Sequence, residues 1–284
     1  AFLNRVTKVN AQGAGVPART FFDLEPRPPR QPLPGRALAT PYGIRVSDDD
    51  STLVVTAAGS DKLVTIDAAS GEVLGRVDVD AVPRGVALVS DADGRPEQAW
   101  VLNAVENTVS LVDVANKKAP KLSARIALHD PTSPLLKQGR KAFETAEASS
   151  TGTFACASCH PDGHTDQLLW VLNTPIVTGG DQIQPRTTMP IRGLRDTEPF
   201  HWDGIPGDPY GGHNAANTDS YVAPNSDIND PTTATRNLID ASLANTMRLL
   251  GATNTNDEGK VGLLSAAERD ALALFLLNVP YPPA

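Results

Sequence analysis

The chain has 284 residues, 33 acidic against 25 basic side chains for a formal charge of −8, and 40% hydrophobic with 20% charged residues. This is the composition of a folded chain long enough for one large or two modest domains, and its negative charge argues against nucleic acid, whose phosphates it would repel. No run approaches the roughly 20 consecutive apolar residues of a membrane-spanning helix, so no transmembrane segment is expected.

The first residues, Ala1 to Arg5, lack the charged-then-apolar pattern of a secretory leader, so the sequence reads as a mature chain or a fragment. Residues 1–37 end in the run Pro26 to Gly35, whose prolines exclude helix and central strand. They read as an extended Pro-rich segment, a linker or a strap lying on something else.

Residues 38–128 alternate short apolar strands with turn residues. Thr52–Thr56 and Lys62–Asp67 flank Gly59-Ser60-Asp61, a hairpin pattern. The order then repeats: Pro41-Tyr42-Gly43-Ile44 is echoed by Pro83-Arg84-Gly85-Val86, and Lys62–Asp67 by Thr108–Asp113. A period a little over forty residues is that of a four-stranded propeller blade, so two blades are expected here. Trp100-Val101-Leu102-Asn103 followed by Asn107–Asp113 resembles the YVTN-type β-propeller repeat of bacterial secreted and surface proteins. Propellers close with ~4–8 blades. Two cannot hide their own edges, so other chains or a missing segment are expected to complete the sheet.

From residue 129 to 284 helical patterns and polar loops take over. One helix is expected at Leu135–Ala146, opened by Ser133-Pro134, and a second at Thr235–Leu250, closed by Gly251. A third follows Ser265, whose spacing to Glu268 is a capping box. Between the first two, Asn173–Asp230 is rich in Pro, Gly, Asn and Asp and reads as a long loop wrapping a ligand.

The chemistry sits in Cys156-Ala157-Ser158-Cys159-His160. Two cysteines three apart lie on one side of a helical turn, where they can reach the two vinyl groups of a porphyrin, and the next histidine can face the iron. A zinc site would want four ligands and a thioredoxin-like pair a βαβ setting, and the chain offers neither around its only two cysteines. The expected cofactor is therefore one covalently bound haem c, held by Cys156 and Cys159 with His160 on the metal.

The amphipathic helix before this motif and the one near residue 280 look like the crossing helices of cytochrome c. Gly139–Trp170, including His160–Asp166, resembles the haem domains attached to YVTN-type propellers. Ile191–Phe200 with Asp203-Gly204 resembles the C-terminal domain of bacterial di-haem cytochrome c peroxidases, although Gly193 replaces an Asn of that pattern and His201-Trp202 are shifted by one. The expected fold class is a multi-domain α+β chain, with incomplete antiparallel β-propeller-like blades followed by an α-helical cytochrome c-like domain with long loops. The domains implied are 1–37, 38–128 and 129–284.

Candidates for the sixth iron position are Met247, preferred because the resemblance puts a ligand Met on a helix between the loop and the last helix, and Met189 in a Met-Pro loop. His201 is a further candidate, with His129, His164 and His213 beyond it. Arg192 and Arg195 suit haem propionates, since a planar guanidinium matches a carboxylate. Trp170 and Trp202 could pack on the porphyrin. Asn254–Gly259 is similar to the start of a calcium loop, with Ser265 where Glu would stand at position twelve.

The function expected is single-electron transfer to a redox protein partner, a basic one suiting the acidic surface. The alternatives are a peroxidase- or oxygenase-like haem enzyme, or a subunit or fragment of a larger propeller–cytochrome assembly. The resemblance implies attachment on the outer side of a bacterial inner membrane, hence a periplasmic, cell-surface or extracellular protein.

Overall fold

The computed structural model of the chain describes residues 3–10, 15–174, 182–201, 204–212, 221–249 and 251–281. It divides into two compact units. One holds residues 1–132 with 144–147 and 151–155, and the other residues 133–143, 148–150 and 156–284.

The first unit is all β. Strands β1 (Arg5–Asn10) and β2 (Ala18–Asp23) form an antiparallel hairpin. Strands β3 (Pro41–Val46), β4 (Thr52–Ala57), β5 (Lys62–Asp67) and β6 (Val73–Asp78) make one four-stranded antiparallel sheet in chain order. Strands β7 (Pro83–Ser90), β8 (Pro96–Asn103), β9 (Thr108–Asp113) and β10 (Lys121–Ala127) make a second sheet of the same order. The sequence repeat is in phase with this: Pro41 and Pro83 each open a first strand, and Lys62 and Thr108 each open a third. Each sheet is thus the four-stranded meander of a blade, and the two sheets do not close into a ring among the described residues.

Strand alternation decides which face buries what. Val54 and Leu63 of the first sheet meet Val86, Ala99, Val101, Val112 and Val114, the core between the sheets. Leu53, Val55, Val64 and Ile66 point the other way, against Phe22, Leu24 and Leu38. Burial on both faces explains why β4 and β5 are nearly continuous apolar runs. The sequence patterning suggests no strand in residues 1–37, yet β1–β2 forms there and, with the segment after it, covers this face. The proline run 26–34 does stay free of helix and strand.

One buried polar node fastens these pieces. Asn4 Nδ2 donates to Glu25 Oε2 at 2.8 Å and to the Thr153 carbonyl at 2.9 Å. Its Oδ1 accepts from Thr40 N at 3.0 Å, and Glu25 Oε1 accepts from Leu38 N at 2.7 Å. Burial raises the Glu25 carboxyl above its usual range, the Asn4 and Leu38 hydrogen bonds opposing.

The second unit carries the helices: α1 (Pro134–Glu144), α2 (Cys156–Cys159), α3 (Pro231–Ala244) and α4 (Ala266–Leu277). Among the described residues it also holds a hairpin, β11 (Leu169–Thr174) with β12 (Gln182–Thr187), which runs into the stretch read from sequence as loop. Residues 175–181 of that stretch lie outside the description. On α4, Ser265 caps with Glu268 in reciprocal bonds, as the spacing predicts. The second expected helix shifts: Asp230 caps it and Pro231 opens it, so it starts before Thr235. It ends at Ala244, so Met247 follows the helix instead of lying on it.

Helices α1 and α4 touch through Gly139 and Ala271, and the Phe143 and Phe275 rings lie 5.7 Å apart at 49°. Fully buried Arg269 donates to the carbonyls of Leu264, Gly262 and Leu263 and pairs with Asp240 on α3 at 2.8 Å. Among the described residues no helix is long and apolar enough to cross a membrane.

Candidate cofactor site at Cys156–His160

Helix α2 is a single turn holding both cysteines, and His160 extends it by donating its amide to the Cys156 carbonyl at 3.0 Å. Three residues of separation put Cys156 and Cys159 on the same side of that turn. Neither cysteine is in a disulfide, and both are half-buried. The chain then reverses through Asp162 (φ 52°) and Gly163 (φ 79°), and Asp166 N returns to the Cys159 carbonyl at 3.0 Å. Burial pushes the Cys159 thiol up to about 11, with the Asp166 charge adding to it.

The His160 ring is largely buried, and burial holds its pKa below the ordinary value. Backbone groups of Met189 and His164 and the Asp166 carboxylate oppose that shift, and the His201 charge reinforces it. The net effect is a neutral imidazole at neutral pH, the form that ligates a metal. Its Nδ1 is buried with no hydrogen-bond partner.

Segment 188–193 is stitched to the loop after His160. Thr165 Oγ1 donates to the Thr188 carbonyl at 2.8 Å, and Ile191 N to the Gly163 carbonyl at 3.0 Å. Arg192 Nη2 donates to the Asp162 carbonyl at 2.9 Å and Nη1 to the Pro280 carbonyl at 3.5 Å, while its Nε is buried without a partner. Gly193 donates to the Val279 carbonyl and stands at φ 78°, where a Cβ would lie 2.2 Å from the Tyr281 ring. That contact and that backbone angle explain a glycine at the position where the peroxidase pattern has Asn.

Asp166 is the residue that sequence reasoning missed as a site group, quoting it only inside a longer run. Its Oδ2 accepts from Trp170 Nε1 at 2.9 Å, and Oδ1 from Leu168 N at 3.0 Å. Leu168, Leu169, Met189 and Tyr281, all on segments tied to this loop, leave large apolar surfaces exposed.

The remaining candidates scatter. The Met189 backbone lies beside the His160 ring and its side chain is 43% exposed. Met247 is 5% exposed, its carbonyl accepting from Ser150 N and its amide donating to the Ser242 carbonyl. Arg195 is exposed on a short 3-10 turn, Leu194–Asp196. His201 is exposed at φ 64°, near enough for its charge to act on His160. His164 and His129 are exposed, and His129 lies in the β unit. Trp202 and His213 lie outside the described residues. In the calcium-like loop, Asp257 accepts from Ala266 N, Glu258 pairs with Arg236, and Asn256 accepts from Glu258 N and Lys260 N. Among the described residues no group of three or more His, Cys, Asp or Glu converges as a metal site.

No protein-family model matches the chain, and no curated protein matches it. Among solved structures, hydrazine synthase of Kuenenia stuttgartiensis aligns at 30% identity over 32% of this chain and 24% of its own, with a TM-score of 0.27. The periplasmic gluconolactonase PpgL of Pseudomonas aeruginosa aligns at 21% identity over 45% and 35%, with a TM-score of 0.34. The Cps50 (Swd1) β-propeller domain of Myceliophteria thermophila aligns at 14% identity over 45% and 42%, also with a TM-score of 0.34. The chain spans less than half the length of each. These alignments are partial, and the function proposed below rests on the chain's own residues.

Proposed function

We propose that the chain is a c-type cytochrome, with Cys156 and Cys159 forming thioethers to one haem and His160 on its iron. One observation carries this reading: two cysteines outside any disulfide on one helical turn, followed by a buried neutral imidazole whose Nδ1 has no hydrogen-bond partner. A buried polar atom left without a partner costs about 1–3 kcal/mol, a cost that a ligating group from outside the chain would offset. The residues fit the group in two further ways. Apolar side chains around the loop are exposed as they would be beneath an absent hydrophobic ring. The unpartnered Arg192 Nε suits a propionate oxygen, while exposed Arg195 has no such support.

A bound haem supplies reversible one-electron iron chemistry. The protein's part is to hold and tune. Helix α2 would present both sulfurs, the stitched loop would hold His160, and the apolar side chains around the loop would shield the group from water. Met247, preferred on the resemblance, and Met189, whose backbone acts on the His160 ring, would be the candidates for a further iron ligand.

Two parts of the reading concern context. Attachment to CxxCH puts the chain in the periplasm, at the cell surface or outside the cell. The exposed row Trp100, Leu102 and Ile126 on the outer face of the second sheet suits a further blade, from other residues or another chain.

The test is expression alongside haem-maturation machinery, followed by intact mass and a pyridine haemochrome spectrum. A mass increment of one haem with a two-thioether spectrum is the expected result. Colourless protein of unmodified mass would overturn the reading.

A further inference from the structure

We propose that Asp166 is a positioning residue of this site, a fixed anionic charge beside the axial histidine that lowers the reduction potential of the bound group. The inference rests on the cytochrome reading and concerns how this chain tunes the haem.

The geometry is local and closed. The six-residue excursion after His160 returns so that Asp166 N meets the Cys159 carbonyl at 3.0 Å, which fixes the Asp166 backbone against the helical turn carrying the thiols. The carboxylate cannot swing freely, because Leu168 N holds Oδ1 at 3.0 Å and Trp170 Nε1 holds Oδ2 at 2.9 Å. Trp170 is itself placed by the β11–β12 ladder, where it pairs with Arg186. The Asp166 charge acts on the last two residues of the motif, Cys159 and His160. Slight burial works to raise the Asp166 carboxyl, but the bonds from Leu168, Thr188 and Trp170 outweigh it, so the group stays ionised at neutral pH.

A fixed negative charge favours the more positive oxidation state of a nearby metal, which moves the potential downward. His201 opposes this, since its charge acts on His160 in the other direction. Trp170 then has a defined part: its indole N–H holds the carboxylate in place without supplying charge.

The experiment compares the haem-loaded wild-type protein with Asp166→Asn, Asp166→Glu and Trp170→Phe, measuring midpoint potential and haem content on the same samples. Asp166→Asn should keep its haem and shift the potential upward. Asp166→Glu should stay near the wild-type value, and Trp170→Phe should shift less than Asp166→Asn because the charge remains. An unchanged potential in Asp166→Asn, or equal shifts in Asp166→Asn and Trp170→Phe, would assign the pair a purely structural role and overturn the proposal. Should Asp166→Asn fail to load, Asp166→Ser carries the same comparison. Loss of loading in Asn and Ser with retention in Glu supports a need for the charge, whereas loss in all three overturns it. Haem-free wild-type protein would instead sink the cytochrome reading itself.

Discussion

Gly139 on α1 lies so close to Ala271 on α4 that a methyl group at Gly139 would sit 2.0 Å from the Ala271 carbonyl oxygen and 2.7 Å from Phe275 Cβ. Two helix backbones touch here, and only a missing side chain permits it.

Gly139→Ala therefore sets two effects against each other. Helix propensity favours alanine by about 1 kcal/mol, whereas overpacking against a rigid backbone costs about 1–3 kcal/mol or more. The clash is with main chain and cannot be relieved by a rotamer change, so the clash wins. Urea unfolding should show a net loss near 2 kcal/mol, and a stabilised variant would mean the helices do not cross at this residue.

Asp240 anchors buried Arg269 and also pairs with Lys260 and Arg236. Asp240→Asn leaves a buried guanidinium without its counter-ion, at a cost of about 3 kcal/mol. The carbonyls of residues 262–264 remain as partners and keep the cost at that lower end. Partial burial pushes the Asp240 carboxyl up, but the Lys260 and Arg269 bonds and nearby charges bring it below 3.8. A lowered carboxylate stabilises the fold fully above its unfolded value and loses that contribution as pH falls through the folded one. The stability gap between wild type and Asp240→Asn should accordingly be flat above pH ~5 and narrow below pH ~4, a trend readable in chemical denaturation at several pH values.

Asn4→Ala removes a buried side chain that serves Glu25, Thr153 and Thr40 at once. Unsatisfied buried groups are expensive, so a loss of about 2–3 kcal/mol is expected. Asn4→Asp, which keeps the acceptor for Thr40 and sets a second carboxylate against Glu25, should be at least as damaging by thermal melting.

Loading the protein with haem separates the two methionines. Met247→Ala should abolish the far-red charge-transfer band of a Met-ligated ferric haem, while Met189→Ala should retain it. The reverse pattern would transfer the ligand role to Met189.

What the sequence could tell differed by region for physical reasons. The repeat of Pro41–Ile44 at Pro83–Val86, and of Lys62–Asp67 at Thr108–Asp113, marked equivalent strands because both faces of the first sheet must be apolar. The hairpin β1–β2 was not legible: its strands are half exposed, and their pairing depends on a sheet whose face they cover. Strand β12 was hidden by Pro185, which argues against a central strand but is tolerated in a two-stranded sheet with free edges. The end of α3 was set too late because its apolar pattern runs on past Ala244 into Leu249, although the helix closes with Asn245 N on the Ala241 carbonyl. At the site, CxxCH was visible as spacing. The Asp166–Trp170 bond was not, since it depends on a loop reversal at Asp162 and Gly163 that no periodicity announces.

The clasp from Gly193 and Arg192 to Val279 and Pro280 sets an order of events in biosynthesis. A ribosome makes the two cysteines long before the residues that pin the loop behind them. An unfolded chain consequently offers its thiols on an unfastened peptide, and the same peptide is drawn shut only once Val279 and Pro280 are in place. If a haem is attached as proposed, attachment can precede closure, and a chain shortened before Val279 should still be modified yet surrender its pigment environment to solvent.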